Sequence, residues 1–406
     1  MSLQEFISNN FPKSILFCDK DEGDRLGLPY PYTVPSPGDI FDCMFYWDTH
    51  FTNVGLLASG NIQQAIYNTD NIQYMIQQLG YMPNSTKRHH IGQSQPPFYY
   101  RMVWDIFEIT HDEQWLMKHY DTISKEYDFW MKNRLAPNGL NYYGRHREYT
   151  PELLQQRYQY CSSRFGGYQT EDTVLQRKMA DTVGVLCESG WDCCYRFEMD
   201  GPSYNPVDLN ALLYGLEASM SRFSQILGRG EELLWEQRAS DRKQRMDRFL
   251  YSEEKGFYLD WNFETCRHSP VISVASLFPL YLGLWHSPES IMEILQRDLL
   301  LPYGVAGTVK PDHSFALQWE YPNIWAPLQF VAYCACKNAG YTSLANTIAE
   351  RYVCLIEYNF EKTHNLWEKY DGFSGQVVNA EYHAPPMLGW TAGVYLALKQ
   401  NCDFSP

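Results

Sequence analysis

Apolar positions recur at helical spacing over most of the chain. In residues 61–79, Ile62, Ala65, Ile66, Ile72 and Met75 fall near one face, and Gly80 stands where a helix would end on a left-handed residue. Residues 112–135 open on a capping aspartate and carry Trp115, Leu116, Tyr120, Ile123, Tyr127 and Trp130 at the same period. The same reading predicts helices over 208–227, 231–250, 269–282, 288–299, 325–338, 342–358 and 388–400. Strand-like alternation is confined to short pieces.

Those pieces recur in one context. A helix, a turn and an aromatic segment follow one another at 136–143, 252–261 and 361–371. The pattern reads as a worn repeat of helix pairs joined by short hairpins. It predicts an all-α toroid of inner and outer helices, with its site at the mouth on loops held by rigid helices. A generic helical bundle is the alternative on pattern alone.

The chain has 406 residues, 45% hydrophobic, without a Gly/Ser-rich linker or a block of like charge. One domain over 1–406 is expected, with residues 1–36 as an N-terminal extension. The net charge of −15 argues against nucleic acid and against anionic membrane surfaces. Residues 1–17 lack the basic and apolar regions of a secretory leader, and no apolar run approaches the ~20 residues of a membrane helix. The 11 cysteines are scattered, with Cys193 beside Cys194 and Cys334 near Cys336, and read as buried free thiols. Together these features predict a cytoplasmic protein. Aromatic residues make up 16% of the chain, which suits sugar stacking and ordinary helix packing alike.

Four segments gather acidic residues, tryptophan, glycine and proline: 37–48, 83–98, 188–192, and 367–371 followed by Glu381-Tyr382. Glycoside hydrolysis without a cofactor needs one protonated and one ionised carboxyl. Asp192 follows Trp191, whose indole is expected to exclude water and raise the carboxyl's pKa. Glu368 sits beside Lys369, a cation that favours its charged form. Taken singly, each segment reads equally as a packed ring beside a capping carboxylate, and Ser94-Gln95-Pro96-Pro97 as a loop ending where a helix begins. His89 and His90 are adjacent, so their rings diverge, and no other His/Cys cluster has ligand spacing. A Gly-rich phosphate loop and a Gly-x-Ser-x-Gly elbow are both lacking. No metal or organic cofactor is expected.

Read in order, the motifs are PGDIFDCMFYWD ending at Asp48, Asn84 with Gln93-Ser94-Gln95-Pro96-Pro97, and SGWD ending at Asp192. QWEYPNIWAPLQ from Gln318, EKYD from Glu368, Glu381-Tyr382 and a final LGWTAGVYLAL follow. Together they resemble the trehalase family of inverting glycosidases. The resemblance implies an (α/α)6 barrel that hydrolyses a small α-linked glycoside, with Asp192 as general acid and Glu368 as general base. It further implies Trp47, Asp48, Asn84, Gln93, Ser94, Gln95, Gly190, Trp325 and Glu381 as substrate-binding residues, and a small sugar as the substrate. Ile40 and Gln93 stand where the family has arginines, the glycine-rich run is shortened to 372–376, and an RPE-like arginine has no clear counterpart. Arg88, Arg145, Arg147 and Arg157 are the candidates to replace those contacts. Trehalose itself is therefore not expected to be the best substrate, and α-glucosidases and mannosylglycerate hydrolases share the ring. Two rivals are a sugar epimerase, which would place two histidines in the mouth, and a non-catalytic sugar-binding protein, which would have lost Asp192 or Glu368.

Overall fold

Fourteen helices dominate the described part of the computed structural model, which comprises residues 1–36, 41–144, 149–379, 383–386 and 389–401. In chain order they are α1 (Leu3–Asn10), α2 (Tyr46–Ala58), α3 (Ile62–Leu79), α4 (Tyr99–Thr110), α5 (Glu113–Asn133), α6 (Pro151–Arg164) and α7 (Thr173–Ser189). They continue as α8 (Val207–Leu227), α9 (Glu232–Phe249), α10 (Phe278–Tyr281), α11 (Glu289–Ile294), α12 (Ala326–Asn338), α13 (Thr342–Thr363) and α14 (Trp390–Lys399). Their ends follow local chemistry. Asp112 caps α5 by accepting from the Trp115 N–H, and Gly80 closes α3 at φ +88°. The run expected from 269 becomes regular only at Val274, where Ser273 accepts from the Ala275 N–H.

Six helices form a closed inner ring, each touching the next: α2 to α4, α8, α10, α12, α14 and back to α2. α3, α5, α9, α11 and α13 follow their inner partners on the outside. The sixth outer position belongs to α1, which lies in residues 1–36. Its Ile7, with Phe11 beyond it, lines a cavity shared with Leu56 and Leu396, and Phe6 packs on Phe360 of α13 with ring centroids 5.0 Å apart. The architecture is an (α/α)6 barrel. The ring closes backbone on backbone: a Cβ on Gly393 would lie 2.0 Å from the Phe51 carbonyl oxygen, and one on Gly55 would lie 2.2 Å from the Gly393 Cα. No side chain fits that seam.

α2, absent from the periodicity reading, is buried on nearly every side, so it shows no polar stripe to mark a period; α4, also absent, carries Arg101, Asp105 and Glu108 on one stripe, the first two buried as an ion pair. α6 and α7 pair with each other outside the ring. Of the three expected hairpins, residues 135–141 and 251–258 turn back on themselves. The third differs, because Lys369–Asp371 pairs antiparallel with Asn323–Trp325 across the mouth. That pairing sets EKYD beside QWEYPNIW.

Candidate active site

The mouth is floored by indoles. Trp47 opens α2, its backbone N–H donating to Gln95 Oε1 at 3.0 Å. Its ring lies 5.5 Å from Trp319 and 6.2 Å from Trp390. Trp325 stacks on Trp319 at 3.9 Å and donates its ring N–H to the Gln318 carbonyl. Gly190 makes this floor possible. It ends α7 at φ +76°, and a Cβ there would lie 2.6 Å from the Trp47 ring.

Three carboxyls converge above the floor. Burial pushes Asp48 up to about 8, and the charges of Glu368 and Asp192 add to the rise, so both lie close enough to act on it. Glu368 is buried and ion-paired to Lys369, whose Nζ is 2.9 Å from Oε2. Lys369 is wholly buried, donates also to Gln318 Oε1 at 2.9 Å, and lies 5.0 Å over the Trp325 ring. The cation beside Glu368, read from the sequence, is thus in contact with it.

Asp192 differs from its expectation. Its side chain is exposed, while Trp191 is fully buried between Arg196 (4.9 Å over the ring) and Trp319 (5.8 Å). The indole faces the core packing, so it does not shield the carboxyl from water. Asp192 opens instead on a cavity walled by Tyr160, Arg164, Phe165, Leu186, Cys187 and Gln318. Cys187, one helical turn back on α7, bonds Asp192, and its thiol is held well above the usual range by burial and then by the Asp192 charge. Among the thiols read from the sequence as buried and free, Cys187 is not singled out, although it stands only five residues before Asp192.

The other candidates lie around this centre. Asn84 donates to the carbonyls of Ser94 and Cys187, Gln93 to that of Gly184, and the Ser94 hydroxyl to that of Met82. All are buried and fasten the 83–97 loop to α7. Beneath them Glu188 accepts from both Arg134 nitrogens at 2.8 and 2.9 Å and from the N–H groups of Ser94 and Gly144. Arg88 is paired with Asp21 in an exposed position, and Arg157 donates to the Ala180 carbonyl. Glu381, Ile40, Arg145 and Arg147 lie outside the described residues. Arg164 and Gln318, neither of them foreseen, line the cavity at Asp192.

A family model described as Trehalase matches residues 18–403. A periplasmic trehalase of Xanthomonas campestris pv. campestris is 32% identical over 98% of this chain and 73% of that protein. One from Xanthomonas oryzae pv. oryzae is 32% identical over 92% and 68%. Among solved structures, a neutral trehalase from Saccharomyces cerevisiae superposes with a TM-score of 0.76 at 23% identity, covering 91% of this chain and 73% of that one. A mannosylglycerate hydrolase from Thermus thermophilus gives 0.67 at 15%, covering 97% and 99%. The curated relatives overturn the cytoplasmic expectation, since their names assign them to the periplasm. Thiols buried in a core, as Cys161, Cys194 and Cys336 are here, are shielded in either compartment, so cysteine usage carried no information on location.

Proposed function

This chain is a glycoside hydrolase of the trehalase family, and from that premise we propose that it cleaves a small α-linked glucoside with inversion, Asp192 serving as general acid and Glu368 as general base. The observation that carries the reading is the meeting of Asp48, Asp192 and Glu368, from distant parts of the chain, over one indole floor. Asp192 gives its proton to the glycosidic oxygen as the bond from C1 breaks, and the aglycone leaves as a neutral alcohol. Water attacks C1 from the opposite face and Glu368 takes its proton, so the first-formed sugar is the β anomer. Proton exchange with solvent then resets both groups.

In this reading Trp47 and Trp325 form the apolar floor, Asp48 and Gln95 make the polar wall toward the sugar hydroxyls, and Asn84, Gln93 and Ser94 fasten the loop that carries Gln95. Gly190 lets the floor close, and Glu381 orders the water side. The chain works as one domain over 1–406, residues 1–36 supplying α1 to its outer layer. At two positions where the family has charged forks this chain has none: position 40 is isoleucine, and the Gln93 amide is bound to a backbone carbonyl. We therefore place trehalose below another α-glucoside in preference. The test is kcat/KM for trehalose beside other α-linked disaccharides and mannosylglycerate, with NMR of the first-formed anomer. An α product would mean retention, with carboxyls roughly 5 Å apart rather than 6.5–9.5 Å, and would sink the inverting assignment. Trehalose ahead of every other compound would sink the aglycone reading alone.

A further inference from the structure

The two catalytic arms come from opposite sides of the mouth, yet both are fastened to the same three residues. Gln318 accepts from Lys369, the partner of Glu368, at 2.9 Å. Glu320 accepts through Oε1 from the Tyr195 backbone N–H at 2.6 Å and from the Cys194 thiol at 3.8 Å, two and three residues past Asp192. Trp319, between them, is stacked on Trp325 of the base side and packs on Trp191 of the acid side at 5.8 Å. The strip cannot move back, because the Trp319 carbonyl lies 2.2 Å from where a Cβ on Gly307 would sit. Glu320 is 1% exposed. Its Oε2 lies 3.0 Å from His313 Nε2, whose other ring nitrogen is bonded to the Phe315 carbonyl and therefore carries the proton.

We infer that Gln318-Trp319-Glu320 is a strut that sets the separation and angle between acid and base, with Glu320 the positioning residue for Asp192. The inference rests on the acid and base assignments proposed above. Bonds from one rigid strip to both arms are a direct means of fixing a gap that must admit one water and one glycosidic oxygen. Burial pushes Glu320 up to about 7 and His313 below its usual value, which favours the neutral form of each. A glutamine would keep the oxygen that accepts from the Tyr195 N–H and the Cys194 thiol; a methionine would not.

The test compares the best-cleaved disaccharide of the panel with α-glucosyl fluoride, whose leaving group needs no proton from the acid. Glu320→Met is expected to lower kcat on the disaccharide about a hundredfold with little change in KM, and to leave fluoride turnover within about threefold. Glu320→Gln is expected to stay near wild type on both. Gln318→Leu, on the base side, is expected to lower both equally. Should Glu320→Met fail to fold, Glu320→Asp, with a shorter arm, is expected to give the same selective loss in milder form. Equal losses on both substrates for the Glu320 variants, or no loss on the disaccharide, would overturn the strut. Asp192→Asn separates this from the underlying assignment. It is expected to spare the fluoride and abolish disaccharide cleavage, and equal losses there would overturn the acid assignment and the strut with it.

Discussion

Glu368 and Asp192 are held in contrasting ways. Glu368 is buried beside a fully buried lysine, immediately before a short strand paired to the segment that opens α12. Asp192 stands exposed past the end of a helix pair outside the ring, held from behind through Glu188, Arg134 and Glu320. A base must stay ionised and accept a proton from a single water, which suits a fixed carboxylate with a permanent cation. An acid must regain its proton from solvent each turnover and serve an aglycone that enters and leaves, which suits a carboxyl open to a cavity. On the proposed assignment, the base arm belongs to the barrel and the acid arm is delivered to it.

Removing the reacting groups should have the largest effect. Asp192→Asn and Glu368→Gln are each expected to lower disaccharide turnover about 10²–10⁴-fold with the fold intact by circular dichroism. Near-native turnover in either variant would end that assignment. The supports should then fail in different currencies. Arg134→Met leaves Glu188 buried with one cation fewer and should cost about 3–5 kcal/mol in urea unfolding, whereas Lys369→Met should act mainly on rate, moving the acidic limb of kcat/KM to higher pH. If both variants change stability and the pH profile alike, the contrast between the arms is wrong.

Asp48 offers a smaller, pH-dependent test. Its carboxyl is pushed from the ordinary range up to about 8 in the folded chain, so the native state binds that proton more tightly than the unfolded one. Its ionisation therefore costs stability progressively as pH rises from about 4 to 8, and the cost is constant above that. Asp48→Asn should match wild type in Tm near pH 4 and exceed it by roughly 2–4 °C or more at pH 8–9. A constant difference across that range would show that Asp48 is not ionising under strain. The smallest effect is expected from Gln93→Arg, which restores a family arginine where the present side chain points at the Gly184 carbonyl. It should change kcat/KM for trehalose by less than about threefold, because the side chain at this buried position is directed to α7 and not to the sugar; a larger gain would mean that the loop reorients.

Much of this molecule was legible from residues alone. Local spacing gave α3, α5, α9 and α13, since each keeps a polar face, and the order of short motifs gave the carboxyls proposed to react. Lys369 beside Glu368 was readable because neighbours in sequence remain neighbours in space. What sequence could not determine depended on contacts between distant segments. α2 has no periodic stripe because the ring covers every side of it, and α1, though capped by Ser2 and apolar at Leu3, Phe6 and Ile7, is placed in the outer layer only by what those side chains meet far along the chain. The orientation of Trp191 was decided by Arg196 and Trp319, 5 and 128 positions away, which drew the indole inward and left Asp192 open. Adjacency along the chain fixes which groups can meet locally. The direction a large side chain takes is fixed by which distant surface buries the most of it, and only the assembled barrel supplies that surface.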